Sequence, residues 1–416
     1  MIENKIRKGI FYMAEFKDIT LIEKQVGFTA PDYRLYTPKS TEYDHNNVHL
    51  YVVEHKGFGG LIAFWTQCTC EHNGDNHVVM AKSKDGGKTW TAPAFIVGCR
   101  HFDKESGKRD AQGSWGFPIV SASGRIYLFY YREIIGVKDS SAQITGAFSC
   151  IYSDDFGESW SESGDIPQRK TPYDFKENIQ DNIVFELPLC LPDGTHLAGF
   201  TKFASRYIDL PRRSCVGVYF YHFRNIDDDP EINELQIDIL GGDEGIHVYR
   251  PNGSMGKIEE PSLVMLPDGR IFCSMRTDLG GVFYSVSEDM GKTWSEARPL
   301  SFSDKTFFTH PLSPCPIFDL ADGRFMQLYH GACDTERPYH PRNTLRKAIG
   351  YFDPDGKQPI RFDKENDSLY MRLDPEEATL GDDVQLAVYG SMTYMNGKKI
   401  LWYPDRKFFL LGKDVE

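Results

Sequence analysis

The chain reads as an all-β protein, a six-bladed β-propeller of four-stranded antiparallel blades in which an N-terminal strand closes the last blade. Three observations predict this. One turn string, S-x-D-x-G-x-S/T-W, occurs at residues 83–90, 153–160 and 287–294, each time after a short apolar, β-prone run. Six glycine-centred hairpins between apolar runs are spread along the whole chain. No segment of helical apolar period competes with them.

The turn string has a physical reading of its own. Its Ser and Asp side chains can satisfy turn amides, its Gly takes the positive φ, and its Trp anchors the turn to the sheet. The serines at 83, 153 and 287 are 70 and then 134 residues apart, which implies a unit of about 67 residues with one degenerate copy between the second and third. The hairpins lie at residues 50–65, 118–129, 189–200, 263–272, 317–326 and 392–401, and several turn on Asp-Gly or Asn-Gly. Where the period expects further turns, the run 218–223 leads into Asp227, Asp228, Asp229 and Pro230, and Tyr351-Phe352 leads into Asp353, Pro354, Asp355 and Gly356. Six such units read as blades around an axis. Only one strand, at 407–412, remains after the sixth hairpin, so the run Ile19-Thr20-Leu21-Ile22 is expected to supply the missing outer strand and tie the ring shut.

The repeat runs end to end over 416 residues with no Pro/Ser linker, so one domain, 1–416, is expected, with 1–15 as an N-terminal extension. Forty per cent apolar composition is enough for six sheet-on-sheet interfaces. With 47 basic and 60 acidic residues the formal charge is −13, which argues against nucleic acid and anionic membranes as partners. The nine cysteines are scattered and odd in number, the reading expected for reduced core thiols, and the start of the chain has no uninterrupted apolar h-region. Both point to a cytoplasmic protein. Cys68-Thr69-Cys70-Glu71-His72 lacks the spacing of a closed zinc site, and no phosphate loop, CxxC pair or basic stripe occurs. No metal and no cofactor is therefore expected, and the oligomeric state stays open.

In a propeller the loops entering and leaving the inner strands converge on one mouth. Before the hairpins stand Asp44, His45, Asn46 and His49, Trp115, Glu186, Glu259 and Glu260, His310, and Tyr389; after them stand Asp75, Arg132, Arg276, His330, Arg342 and Asp405. Carboxylates, arginines and histidines at positions that otherwise favour strand formers mark a candidate site.

The three turn strings resemble the Asp-boxes of the sialidase superfamily. The stretch 260–270 followed by Arg276 is similar to the sialidase segment that carries a catalytic glutamate and a carboxylate-binding arginine; Arg342-Asn343-Thr344-Leu345-Arg346 resembles the segment of another such arginine, and residues 386–392 that of the nucleophilic tyrosine. The resemblance runs from about Asn47 to the C-terminus. It implies Tyr389 as nucleophile, Glu260 as its base, and Arg276 and Arg342 as clamps on a substrate carboxylate; Asp75, ahead of the first Asp-box, is the best acid candidate. The chemistry fits these residue types. A carboxylate on the anomeric carbon repels an anionic nucleophile, so a tyrosine activated by a glutamate replaces the usual carboxylate, and arginines hold the acid in bidentate fashion. Arg34, His45, Arg132 and His310 complete the substrate-binding candidates.

The chain also departs from the pattern. Where sialidases carry an arginine in an R-I-P string, it has His45-Asn46-Asn47-Val48-His49, and Trp65-Thr66-Gln67 stands where another arginine often follows the first hairpin. Three readings follow. The first is a retaining exo-glycosidase releasing a terminal acidic sugar, whether sialic, another ulosonic or a uronic acid. The second is a uronate lyase on the same fold, with tyrosine and histidine handling the proton. The third is a non-catalytic, glycan-binding propeller.

Overall fold

The computed structural model describes residues 19–416 apart from 40–43, 71–73, 104–105, 107, 135–145, 175–181, 206–214, 335, 338, 375, 379–384 and 396. The N-terminal extension 1–15 lies outside the described residues. Six antiparallel sheets, each built round one of the expected hairpins, form the blades. Blade 1 comprises Asn46–His55, Gly60–Cys68, His77–Ser83 and Ala94–Gly98, from axis to rim. Blade 2 comprises Gly113–Val120, Ile126–Glu133, Gly146–Ser153 and Gly164–Asp165. In blade 3 the inner strand is broken into Asn182–Val184 and Leu189–Cys190, both paired with His196–Phe203, and Cys215–Phe223 and Ile237–Leu240 follow. Blade 4 is Ile258–Met265, Ile271–Thr277, Phe283–Ser287 and Arg298–Pro299; blade 5 is Ile317–Asp319, Arg324–Tyr329, Thr344–Phe352 and Ile360–Arg372.

Blade 6 contains Ser391–Met395, Lys398–Asp405 and Phe409–Val415, and its outer strand comes from the N-terminal side of the chain, as expected. The donor is Tyr33–Tyr36, with Tyr33 opposite Gly412; the expected donor, residues 19–22, instead opens the helix Ile19–Gly27. Ile22 and Val26, one helical turn apart, pack onto the core shared by blades 5 and 6. The buried Arg406 guanidinium, paired with Asp405, donates to the Gln25 side chain at 2.7 Å and to its carbonyl at 2.6 Å. These contacts decide helix over strand for a run that is β-prone by composition.

Every blade must bury both faces, so the second strands lose polar alternation: all nine residues of Gly60–Cys68 are buried. Six clusters of buried side chains occupy the six blade-to-blade interfaces, as with Phe64, Met80, Leu128 and Ile151 between blades 1 and 2. The Asp-boxes lock these interfaces. In the first, Asp85 accepts from the Thr89 amide (2.9 Å) and hydroxyl (2.6 Å), Ser83 Oγ accepts from the Gly87 amide (2.9 Å), and Trp90 Nε1 donates to the Gly87 carbonyl (2.9 Å). Gly87 has φ +88° and lies so close to Trp402 of blade 6 that a Cβ there would be 2.4 Å from the indole. Glycine is required twice over, by φ and by the approach of the neighbouring blade.

Candidate functional site

Three inner strands carry a bulge at the same level of the ring. His49, Trp115 and Glu260, in blades 1, 2 and 4, have φ of 56°, 52° and 55°, and strand pairing slips at each position. A non-glycine residue there costs of order 1–3 kcal/mol and needs outside support. The preceding blade supplies it: the Trp115 amide donates to Thr66 Oγ1 at 2.7 Å and the Glu260 amide to Thr201 Oγ1 at 2.8 Å. After the His49 bulge the Leu50 amide donates to the Tyr389 carbonyl at 2.9 Å, which ties blade 1 to the segment entering blade 6.

At the mouth the Tyr389 hydroxyl donates to Glu260 Oε1 at 3.1 Å. Arg276 Nη1 donates to the same carboxylate oxygen and to the Tyr389 oxygen at 3.3 Å, while its Nε lies 3.1 Å from Glu259 Oε1. Glu259 sits opposite Arg276 in the strand register, so one hairpin delivers both carboxylates and the cation. All four side chains are buried. Burial pushes the Glu260 carboxyl above the usual carboxylate range, and Arg276 offsets that only in part. Burial also opposes the Arg276 charge, but Glu259 and Glu260 overcome it and hold the guanidinium well above its usual range. Glu260 Oε2 has no hydrogen-bond partner among the described residues.

Arg342 completes the group. Its Nη1 donates to Gln385 Oε1 at 2.7 Å and its Nη2 to the Leu312 carbonyl, while Nε has no partner among the described residues. Burial and the nearby Arg276 charge lower its pKa. The half-exposed ring of Tyr339 stands 5.2 Å from the Arg342 guanidinium and 5.9 Å from that of Arg276, a cation–π cover over both cations. The His49 ring lies 4.9 Å from the Tyr389 ring and 5.1 Å from Phe185.

The remaining candidates divide. Asp75 is buried in the loop after the second strand of blade 1; its Oδ2 accepts the Thr69 amide at 3.0 Å, and Oδ1 has no partner among the described residues. No described hydrogen bond links it to Glu260 or Tyr389. His45 is half-buried, 3.8 Å from Asp44 and against Phe408. Three candidates are corrected. Arg34 makes a bidentate pair with Glu23 of the N-terminal helix at 2.8 and 2.7 Å, on the outer strand of blade 6. Arg132 turns outward to Asp165 on the rim of blade 2, at 2.9 and 2.6 Å. His310 is fully buried: its Nδ1 accepts the His330 amide at 3.1 Å, so Nε2 carries the proton that goes to the Ser313 carbonyl at 2.8 Å. Burial keeps it neutral, as it does the stacked His330, lowered to about 3. Both histidines support the segment whose Leu312 carbonyl holds Arg342.

The position of the absent arginine also has a tenant. Asn47 Nδ2 donates to the carbonyls of Asp44 (2.9 Å) and Phe408 (2.8 Å), and Oδ1 accepts from Trp65 Nε1 (3.0 Å) and Gln67 Nε2 (2.9 Å). It staples blade 1 to blade 6. Gln385 and Tyr339 are the residues that sequence reasoning left out of the site; both lie in loops and had no signal. Glu186, named among the positions before the hairpins, is given no role there.

The arrangement brings a phenol, a carboxylate able to take its proton, and two guanidiniums to one mouth. No curated protein matches the chain in sequence. Among solved structures, a protein of unknown function from Dyadobacter fermentans is 15% identical, with 92% of this chain and 97% of that one covered and a TM-score of 0.61. A leech intramolecular trans-sialidase, in complex with 2,7-anhydro-Neu5Ac, is 13% identical, with 93% and 70% covered and a TM-score of 0.61. The intramolecular trans-sialidase of Ruminococcus gnavus, in complex with oseltamivir carboxylate, is 14% identical, with 94% and 96% covered and a TM-score of 0.59. At these identities the likeness is one of fold, a sialidase-like six-bladed propeller. The family model described as BNR repeat-like domain matches residues 59–349, more than half of the chain, and the chain therefore belongs to that family.

Proposed function

We propose that the protein is a sialidase-type retaining exo-glycosidase that releases a terminal acidic sugar. The observation that carries this reading is the Tyr389 hydroxyl donating to Glu260 Oε1 at 3.1 Å with Arg276 touching both. In the first half-reaction the Glu260 carboxylate takes the phenolic proton and the Tyr389 oxygen forms a bond to the anomeric carbon. The bond to the aglycone oxygen breaks, and that oxygen takes a proton from Asp75. In the second, water attacks the anomeric carbon and gives its proton to Asp75, while the departing Tyr389 oxygen recovers its proton from Glu260. Two inversions give retention. Arg276 steadies the phenolate, and Arg342, whose Nε has no partner among the described residues, pairs with the substrate carboxylate.

Fluorogenic 4-methylumbelliferyl glycosides of sialic, ulosonic and uronic acids test the proposal. Release from one of them, lost in Glu260→Gln, supports it; folded protein that releases none of them refutes it. Arg276→Ala is expected to weaken acidic sugars far more than neutral ones.

One observation favours a second reading, the uronate lyase. The His49 imidazole, held by its strained backbone 4.9 Å from the Tyr389 ring, offers a second proton acceptor beside the phenol. Elimination creates a C4–C5 double bond, so new ultraviolet absorbance during incubation with oligouronates identifies it. Calorimetric binding of acidic glycans with neither turnover, unchanged by Glu260→Gln, identifies a binding propeller instead.

A further inference from the structure

Two successive non-glycine residues, Arg406 and Lys407, hold the left-handed backbone, at φ 55° and 54°, in the turn that leaves the second strand of blade 6. A glycine or an asparagine would make that turn at less cost, so each side chain needs a reason to be there. Arg406 has one inside the protein, where it is buried against Asp405 and Gln25. Lys407 is half-buried, and its Nζ lies 6.0 Å from the centre of the Tyr389 ring. The turn is held from both sides. The Phe408 amide donates to the Asp405 carbonyl at 3.0 Å, while Asn47 of blade 1 donates its amide to the Lys407 carbonyl at 2.6 Å and its Nδ2 to the Phe408 carbonyl at 2.8 Å. In the same strand the Leu50 amide donates to the Tyr389 carbonyl at 2.9 Å. The inner strand of blade 1 therefore fixes Lys407 and Tyr389 relative to each other.

The charges at the mouth give this lysine a task. Arg276 is matched by two carboxylates, Glu259 and Glu260, before any ligand arrives, which leaves Arg342 to meet an anion in a protein whose formal charge is −13. Lys407 brings a further cation to the phenol. In the glycosidase reading, on which this inference rests, the Tyr389 oxygen attacks the anomeric carbon; where that carbon bears the carboxylate, a cation beside the ring stands beside the carboxylate as well. We propose that Lys407 is a substrate-binding residue whose ammonium pairs with the sugar carboxylate together with Arg342. The four-carbon stem lets Nζ follow the ligand, and its three donors need no fixed approach. The strained turn then has its explanation: it aims the stem at Tyr389.

Kinetics on the 4-methylumbelliferyl glycoside that the protein hydrolyses test it. Lys407→Met is expected to raise KM at least about tenfold, the loss of one charge-assisted hydrogen bond, with kcat changed far less and the melting temperature kept. Lys407→Arg, which keeps the charge, is expected to recover most of the affinity. Lys407→Asn removes the charge with a residue that suits the left-handed backbone, and so repeats the measurement on a turn under less strain. An unchanged KM in both neutral variants, or a rise that Lys407→Arg leaves in full, overturns the proposal. Calorimetric titration with free N-acetylneuraminic acid and with glucuronic acid separates it from the glycosidase reading. If no glycoside is hydrolysed that reading fails, yet weaker binding of either acid to Lys407→Met than to the wild type upholds the pairing of Lys407 with the carboxylate; binding the same in both proteins overturns it.

Discussion

Arg276 is the residue on which both stability and chemistry of the mouth converge, and Arg276→Met isolates its charge at similar volume. The wild-type guanidinium lies 3.1 Å from Glu259 and donates to Glu260, with the side chains of all three less than a tenth exposed. Removing the cation leaves two buried carboxylates facing each other, and breaking a buried pair in this way costs about 3–5 kcal/mol. Unfolding entropy of about 2.1 cal/mol/K per residue converts that to a fall in Tm of about 3–6 °C for 416 residues. The loss depends on pH in a definite direction. Burial already raises the Glu260 carboxyl above its ordinary range, and in the variant the Arg276 guanidinium no longer offsets that, so the penalty appears as pH rises above the ordinary glutamate value of about 4.3 and fades on acidification. Calorimetric melts of wild type and variant at about pH 5 and about pH 7.5 measure it. The wild-type-minus-variant difference is expected to be smaller at the lower pH, and Glu260→Gln added to Arg276→Met is expected to restore part of the loss. A difference equal at both pH values, or a double variant whose loss is the sum of the singles, refutes the reasoning.

Tyr389→Phe removes only a hydroxyl that contacts Glu260 and Arg276, so turnover of the fluorogenic substrate is expected to fall by at least about 10³-fold with the fold retained; unchanged turnover removes Tyr389 from the mechanism. Gly87→Ala combines a positive φ with a Cβ 2.4 Å from Trp402 and is expected to cost about 2–5 kcal/mol, whereas Gly253→Ala, at φ +80° with nothing within 4 Å, should show only the smaller backbone cost. Equal urea midpoints for the two variants dismiss the inter-blade contact. Acid titration reads the Asp-boxes: the Thr89 hydroxyl and amide hold Asp85, and those of Ser159 hold Asp155, each down to about 2. Because these folded pKa values are depressed, the stability they add is present above about pH 4 and lost as pH falls through about 2. Urea midpoints that do not fall across that window contradict it.

The blade plan was legible because its determinants are local. An Asp-box closes its hydrogen bonds within eight residues, as from Ser83 to Trp90, and a Gly hairpin reports its turn in two, so turn chemistry and alternation suffice to count six blades. The pairing of Glu259 with Arg276 across one hairpin is local in the same sense. Other features depend on contacts that no local string encodes. Residues 19–22 have the composition of a strand, yet Arg406, some 380 residues away, grips Gln25 and the segment coils, leaving Tyr33–Tyr36 to close the ring. Arg34, Arg132 and Arg342 are alike in sequence, and partners decide among them: Glu23 and Asp165 hold the first two on the outside, while Gln385 and the Leu312 carbonyl hold the third at the mouth. The bulges at His49, Trp115 and Glu260 were invisible as well, because two of them rest on a threonine of the preceding blade. By itself the sequence determined the number of blades, their hairpins and the residue types of the site, since turns and alternation are short-range. Only the tertiary structure decided which of those residues meet, since a buried charge or a strained backbone is settled by whatever the neighbouring blade places against it.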